Sequence, residues 1–133
     1  MSAVFVDTSA ILALLSADDA HHRASKRAFE GLAKEEAHLV TTSHVLVETY
    51  ALIGRCFGRE AVRRFREEFA PLLEVIWIDE DLHEAGLDEL ATSALRDLSL
   101  VDAVSFAAMR ARRIERAFAY DRHFATSGFE IVK

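Results

Sequence analysis

The chain has 133 residues, 51% of them hydrophobic, which is enough for one compact domain with a buried core, and we expect a single domain over residues 1–133. Its net charge of -6 argues against binding nucleic acid through overall charge, and no apolar run approaches the ~18 residues that span a bilayer. With no signal-peptide pattern and a single cysteine, Cys56, the sequence predicts a soluble cytoplasmic protein without membrane association, intramolecular disulfides or thiolate metal clusters.

The first half of the chain alternates short β-branched runs with helical periodicity. Residues 3–6 (AVFV) predict a strand that leads into a helix in TSAILALLSA, and residues 20–36 predict a second helix. HLVTT at 38–42 predicts the next strand. Ser43 is the expected N-cap of a helix that Gly58 ends.

The second half continues the same alternation. The predicted elements are a helix over 59–70 that stops near Pro71, a strand at 74–78, a helix from about 82 to 96 opened by Asp79, a helix within 98–112, and strands at 116–120 and 129–133. Strands separated by helical crossovers form parallel sheets covered on both faces. The sequence therefore predicts an α/β protein, a three-layer α/β/α domain with a mostly parallel central sheet, whose ligand site lies at the carboxyl ends of the strands.

Three acidic residues stand alone in otherwise uncharged surroundings. Asp7 is the only charged residue from Ala3 to Ala17, Glu48 is the only Asp, Glu, Lys or Arg in LVTTSHVLVETYALIG, and Asp102 is alone in LSLVDAVSFAAM. Asp121 is a fourth candidate because it directly follows a predicted strand. The predicted topology brings Asp7 and Asp121 to the same edge of the sheet.

Each of these acids also has a purely structural interpretation. Asp7 and Asp102 suit helix N-termini, Glu48 suits a pair with an arginine or His44, and Asp121 suits a turn or a pair with Arg122. Four carboxylates near one edge would nevertheless repel one another unless a cation lies between them.

An all-carboxylate site favours Mg²⁺ or Mn²⁺, which prefer oxygen ligands. The HEAGLDEL segment lacks the second histidine of a zinc signature because Leu87 occupies that position, and the other histidines, including His21 and His22, are expected at the surface. Metal ions held by acidic residues act on phosphate esters, so the sequence predicts phosphodiester hydrolysis.

Two further expectations concern arginine and cysteine. Ten of the thirteen arginines lie between Arg55 and Arg66 or between Arg110 and Arg122. They form either a basic rim that binds phosphates around the acidic centre or ordinary solvated helix faces with glutamate partners three or four residues away. Cys56 is expected to be a small buried hydrophobe.

Four blocks, in order and over nearly the whole chain, resemble the PIN-domain ribonucleases, in particular the VapC-type toxins of prokaryotic toxin–antitoxin pairs. The blocks are VFVDTSAILALL, TTSHVLVETYALI, LSLVDAVSFAAM and AFAYDRHF. The resemblance implies a PIN-like fold and a Mg²⁺- or Mn²⁺-dependent endoribonuclease that forms a homodimer and binds a small cognate antitoxin. It also implies that Asp7, Glu48, Asp102 and Asp121 form the catalytic and metal-binding set. Asp7 and Asp102 are expected to make the main metal contacts, and Glu48 and Asp121 to complete the cluster directly or through water.

One position departs from the family pattern. Members often have Thr or Ser two residues before the fourth acid, where this chain has Ala119. The hydroxyl that would help to hold metal-bound water beside Asp121 is therefore missing. Thr8 and Ser9, next to the first acid, are candidates for a hydroxyl or backbone contact at the site or for helix capping.

Other function classes fit the sequence less well. A phosphoacceptor receiver domain needs an adjacent acid pair and a lysine near its last strand, but the only lysines are Lys26, Lys34 and Lys133. A haloacid-dehalogenase phosphatase needs a second aspartate where Ser9 stands. A PIN-family RNA-processing nuclease without an antitoxin, and a catalytically inactive PIN-like binding module, both remain open alternatives.

Overall fold

The computed structural model describes residues 2–133 and is built around a parallel sheet. Its strands are β1 (Ala3–Val6), β2 (His38–Thr42), β3 (Glu74–Ile76), β4 (Arg116–Phe118) and β5 (Glu130–Ile131). They lie in the order β3-β2-β1-β4-β5, and every neighbouring pair is parallel. The predicted α/β class with a mostly parallel sheet is confirmed.

Helices connect the strands and cover both faces of the sheet. They are α1 (Thr8–Leu15), α2 (His22–Lys34), α3 (Ser43–Phe57), α4 (Arg59–Arg64), α5 (Glu80–Thr92), α6 (Leu100–Arg112) and α7 (Arg122–Thr126). Helix α4 continues into a π-helical turn, Phe65–Phe69, and a 3₁₀ turn, Ala70–Leu72, where the chain stops being helical as Pro71 predicts. Within residues 2–133, no helix is both long and apolar enough to cross a membrane.

Several boundaries differ from prediction for identifiable reasons. Thr42, not Ser43, caps α3, and the Ser43 hydroxyl instead accepts a hydrogen bond from the Ile78 N–H at 2.9 Å. That bond takes the backbone after Ile76 away from the sheet, so β3 is shorter than predicted. Strand β4 ends early for a similar reason, because the Tyr120 N–H bonds to the Ser9 hydroxyl.

Other differences lie in the helices and at Cys56. The short helix α7 was not predicted, and α5 ends at Thr92 rather than near residue 96. The prediction that Cys56 is buried is wrong. Residues 55–60 are all exposed because the end of α3 and the start of α4 extend beyond the core.

Alternating side chains of the sheet point to opposite faces and pack in two separate hydrophobic cores. Val4 and Val6 of β1 pack in a core with Ile11 of α1 and residues of α2 and α3. Phe5, between them, points to the opposite face and packs in a core with Phe106 and other residues of α6. The two cores fix the register of β1, because a slip of one residue would exchange its two faces.

The strand order creates a crevice at one place on the sheet. The chain runs outward from β1 through β2 to β3 and then returns to the other side of β1 to form β4. At the carboxyl edge of these central strands, the Asp7 N–H extends the ladder by donating to the Phe118 carbonyl at 3.1 Å. Asp7 directly follows β1, and Asp121 lies three residues after β4, so both acids lie at this switch point.

Helices α5 and α6 pack closely enough to require a glycine. A Cβ placed on Gly86 of α5 would lie 2.4 Å from Cγ2 of Val104 and 3.1 Å from its Cα. Non-bonded carbon atoms do not approach as closely as the first of these distances. The second contact is with the backbone of α6, which cannot move aside as a side chain can. The absence of a side chain at Gly86 therefore sets the spacing that holds α6 against the sheet.

This close approach gives a first prediction. Gly86→Ala should lower the free energy of unfolding by about 1–3 kcal/mol, because the new methyl group forces the two helices apart. Gly31→Ala is the matched control, since a Cβ at Gly31 on α2 meets nothing within 4 Å. That control should instead stabilise the protein by about 0.5–1 kcal/mol, through helix propensity alone. Urea unfolding of both variants measures the difference, and equal effects would contradict the packing argument.

Candidate active site

Asp7 lies buried at the junction of β1 and α1. It caps α1, with its Oδ2 atom accepting hydrogen bonds from the Ser9 N–H at 3.1 Å and the Ser9 hydroxyl at 2.6 Å. The side chain is only 4% exposed. Asp7 therefore does have the capping role that its position allows, while its other carboxylate oxygen is not used by that cap.

Ser9 connects the first acid to the end of β4. Its hydroxyl donates to Asp7 and accepts a hydrogen bond from the Tyr120 N–H at 2.9 Å. Tyr120 immediately precedes Asp121, so a single side chain fixes the spacing between the segments that carry the two acids. The neighbouring Thr8 hydroxyl points elsewhere, toward α3.

Glu48 is positioned through its neighbour on α3. The hydroxyl groups of Thr8 and Thr49 are 2.9 Å apart in the buried contact between α1 and α3, and Thr49 also donates to the Val45 carbonyl. Since Thr8 follows Asp7 and Thr49 follows Glu48, this bond places both acids near the contact between α1 and α3. Within residues 2–133, Glu48 forms no ion pair with an arginine or with His44.

Asp102, Asp121 and His123 form the tightest group of polar side chains at this edge. One ligand atom from each lies within 4.8 Å of the others. The Nδ1 atom of His123 is 3.0 Å from Oδ1 of Asp121 and 3.5 Å from Oδ2 of Asp102. Asp102 is in the first turn of α6, which Ser99 caps, and Asp121 caps α7.

His123 is a site residue that the sequence did not reveal. The prediction that the histidines lie at the surface is wrong for this one, which is 6% exposed. Its Nε2 atom is 2.9 Å from Oδ1 of Asp97, and the other oxygen of Asp97 accepts a hydrogen bond from Arg122 at 2.9 Å. The only signal in the sequence was its place two residues after Asp121.

Burial and mutual repulsion shift the pKa values of the acids. Burial is the largest cause that raises the pKa of Asp7, and the charges of Asp121 and Glu48 add to it despite the opposing hydrogen bonds from Ser9. Burial, followed by the charges of Asp121 and Asp7, raises the pKa of Asp102 from 3.8 to about 7. Asp7 and Asp102 are therefore close enough to other acids of the predicted set for those charges to affect their ionisation.

The pKa of His123 responds to the same charges. Burial by itself would lower it, but the bond to Asp97 and the charges of Asp121 and Asp97 together raise it. The bond from His123 in turn holds the pKa of Asp97 below its ordinary value. The imidazole is thus enclosed by acids on both of its nitrogen atoms.

Most arginines in the two arginine-rich segments are paired with acids on the surface. The pairs are Arg63 with Glu60 and Glu67, Arg64 with Glu68, Arg110 with Glu89, Arg112 with Glu74, Arg116 with Glu35 and Glu130, and Arg122 with Asp97. The pairs of Arg63 and Arg64 lie three or four residues apart on one helix and match the alternative of solvated helix faces. The pairs of the second segment instead join residues that are distant in the chain, which neither alternative predicted. Of these arginines, Arg122 contacts a residue of the acid site.

The fold and the site together describe an α/β domain whose acid cluster, at the switch point of a parallel sheet, suits phosphate chemistry. Residues 4–129 match the family model of the PIN domain, and the chain belongs to the PIN-domain family. Within that family it is 37% identical over 131 residues to the 23S rRNA-specific endonuclease VapC20 of Mycobacterium tuberculosis, with 98% of each chain aligned.

Solved structures agree with this relationship. The crystal structure of Mycobacterium tuberculosis VapC20, a toxin that cleaves the sarcin–ricin loop, matches with a TM-score of 0.82 and 35% identity over 96% of both chains. A toxin–antitoxin complex from Klebsiella pneumoniae matches with a TM-score of 0.74 and 18% identity, over 98% of this chain and 97% of that one. DNA-bound VapBC from Salmonella typhimurium matches with a TM-score of 0.73 and 16% identity over the same shares. The last two share the fold alone.

Nucleases of the PIN family use a divalent metal ion, and the residues at this edge suit one. The side chains supply carboxylate oxygens and an imidazole nitrogen, all of which bind divalent cations. The buried Nδ1 atom of His123 has no hydrogen-bond partner within residues 2–133, although it lies among acids. A cation among these atoms would satisfy that nitrogen and offset the repulsion between the carboxylates.

The raised pKa of Asp102 predicts how the metal-free protein depends on pH. A carboxyl group with a raised pKa holds its proton more tightly in the folded state, so its contribution to stability is lost as pH rises from about 4 to about 7. Asp102→Asn, which cannot ionise, should therefore be more stable than the wild type at pH 8, by roughly 1–2 kcal/mol after allowance for solvent screening. At pH 4 the two should be nearly equal.

Urea unfolding with EDTA present measures this difference at each pH. The exposed Asp88 on α5 provides the control, since Asp88→Asn should show no pH-dependent difference from the wild type. An Asp102→Asn variant that is no more stable than the wild type at pH 8 would contradict the electrostatic account of the site.

Proposed function

We propose that this chain is a single PIN domain over residues 1–133 that acts in the cytoplasm as a Mg²⁺- or Mn²⁺-dependent endoribonuclease and as the toxin of a type II toxin–antitoxin pair. The observation that carries the proposal is the cluster of Asp102, Asp121 and His123 beside Asp7 at the switch point of the sheet. Full-length similarity to VapC20, an rRNA endonuclease, supports the same function.

In this proposal, Asp7 and Asp102 make the main contacts to the ion, and Asp121 and Glu48 complete its acidic surroundings. A bound divalent ion would supply Lewis-acid activation of water and charge stabilisation at the phosphate. Ser9 keeps Asp7 in one orientation through its hydroxyl, and the Thr8–Thr49 bond keeps Glu48 near it. The negative edge makes RNA cleavage depend on the ion, because the carboxylates alone would repel the phosphate backbone.

The substrate we propose is RNA, and the cut is at a phosphodiester bond. VapC20 acts on 23S rRNA, so ribosomal RNA is the first substrate to test. Contacts to flanking phosphates would come from a small number of cations near the site. Arg122 is one candidate, because it is exposed and lies next to Asp121 in the chain, although it also pairs with Asp97.

We also propose a small antitoxin and a homodimer as the physiological assembly. Support for the antitoxin comes from the solved structures that share this fold, which include toxin–antitoxin complexes. If the small protein encoded directly upstream co-purifies with this chain and suppresses RNA cleavage, the assignment of this chain as a toxin is supported. A nuclease active on RNA without such a partner would instead be an RNA-processing enzyme. Light scattering of the purified chain tests the dimer.

Loss of cleavage without loss of fold is the central test. Asp7→Asn and Asp102→Asn should each reduce RNA cleavage by about 100-fold or more, because each removes a charge that the ion requires while keeping the shape of the side chain. Asp88→Asn should cleave at the wild-type rate. EDTA should abolish cleavage by the wild type, and Mn²⁺ should restore it.

Circular dichroism and thermal unfolding establish that the variants are folded. A wild-type protein that binds no divalent ion and cleaves no RNA would support the inactive binding module instead. Cleavage by Asp102→Asn at the wild-type, metal-dependent rate would overturn the assignment of the site.

A further inference from the structure

The contact between the His123 ring and Asp97 fixes which nitrogen keeps the proton when the ring is neutral. Its Nε2 atom is 2.9 Å from Oδ1 of Asp97, a carboxylate that also pairs with Arg122 and is therefore an acceptor. A neutral imidazole has one N–H group, and this contact assigns it to Nε2. The lone pair of Nδ1 then faces the acids on the other side of the ring.

The acids on that side do not offer Nδ1 a hydrogen bond of suitable geometry. Its distances to Asp121 and Asp102 are 3.0 and 3.5 Å, yet the atom is buried and without a hydrogen-bond partner within residues 2–133. The nearest oxygen, Oδ1 of Asp121, already accepts the backbone N–H of His123 at 2.9 Å. A buried ring nitrogen that faces two carboxylates requires a cation among the three groups, which is either a proton on Nδ1 or a metal ion that replaces it.

The distances match those between ligands of one ion. Two ligand atoms that bind a first-row divalent ion at about 2.1 Å in adjacent octahedral positions lie about 3 Å apart. The contacts of 3.0 and 3.5 Å from Nδ1 are close to that value, and the three ligand atoms all lie within 4.8 Å of one another. Histidines that bind metals commonly donate their other N–H to a carboxylate, as His123 does to Asp97.

We propose that Nδ1 of His123 is a direct ligand of the divalent ion, together with Asp102 and Asp121, so that the site prefers Mn²⁺ and other transition ions to Mg²⁺. Asp97 and Arg122 act behind the ligand by fixing the ring and its tautomer. This inference rests on the metal site of the proposed function and adds a nitrogen donor that the four acids do not provide. Imidazole binds transition ions more readily than it binds Mg²⁺, which favours oxygen.

The test uses metal binding and electron spin echo spectroscopy of bound Mn²⁺, neither of which depends on RNA cleavage. The wild type should show coupling between Mn²⁺ and an imidazole ¹⁴N nucleus. The variant His123→Gln places an amide near the position of Nε2 but has no ligand atom at the position of Nδ1. The coupling should therefore disappear. Its affinity for Mn²⁺ should fall about 10- to 100-fold, while its affinity for Mg²⁺ changes less than about threefold.

His38→Asn is the matched control. His38 also pairs with a carboxylate through Nε2, that of Glu74, but lies at the start of β2, at the opposite edge of the sheet. This variant should keep the ¹⁴N coupling and both affinities. Asp97→Asn is a second variant that should fold even if His123→Gln does not, because Asp97 is exposed, and it should weaken Mn²⁺ binding about 10-fold.

The outcomes separate this inference from the proposed function. Wild-type protein that binds Mn²⁺ and cleaves RNA but shows no ¹⁴N coupling would overturn the ligand role of His123 and leave the nuclease in place. Coupling that survives in His123→Gln would also overturn it. Coupling without any RNA cleavage would support the ligand and count against the nuclease, and a wild type that binds no divalent ion would overturn both.

Discussion

Repulsion between carboxylates, two of them buried, at one edge of the sheet is the constraint on which the rest of this structure depends. Asp7 and Asp102 are both buried, which raises the pKa of each. The charges of Asp121 and Glu48 raise the pKa of Asp7 further, and the charges of Asp121 and Asp7 raise that of Asp102. Apolar packing alone would not select such an arrangement, because ionised groups lose hydration when they are buried. The sheet topology nevertheless places both acids at the carboxyl edge of the central strands. The stability of this edge therefore depends on what neutralises it.

The surroundings of the acids hold them in position before any ion binds. The Ser9 hydroxyl orients Asp7, the Thr8–Thr49 bond links α1 to α3, and the Ser99 cap fixes the first turn of α6. Each of these bonds involves a side chain next to an acid or within its turn. Such support keeps the charges close although they repel, and a site arranged in advance loses less entropy when it binds an ion. The same rigidity keeps the carboxylates close in the metal-free protein, where their mutual repulsion opposes folding once they ionise.

The sequence predicted those features that depend on local pattern. Asp7 and Asp102 stood out because they were isolated in apolar runs, and the alternation of strands and helices indicated a parallel sheet. His123 did not stand out, because its partner Asp97 is 26 residues away in the chain and the contact leaves no local pattern. The five residues of α7 are too few to show helical periodicity. Cys56 was predicted to be buried because cysteines generally are, but the helix end that carries it lies beyond the core.

The position two residues before Asp121 contributes to packing rather than to the polar contacts at the end of β4. Ala119 is buried in the same core as Phe5 and Phe124, so it contributes to packing. The hydroxyl that contacts this segment comes from Ser9, which bonds to the N–H of Tyr120 and to Asp7 at once. The link between the ends of β1 and β4 therefore does not need a polar side chain at residue 119. The departure from the family pattern leaves the spacing of Asp7 and Asp121 under the control of Ser9.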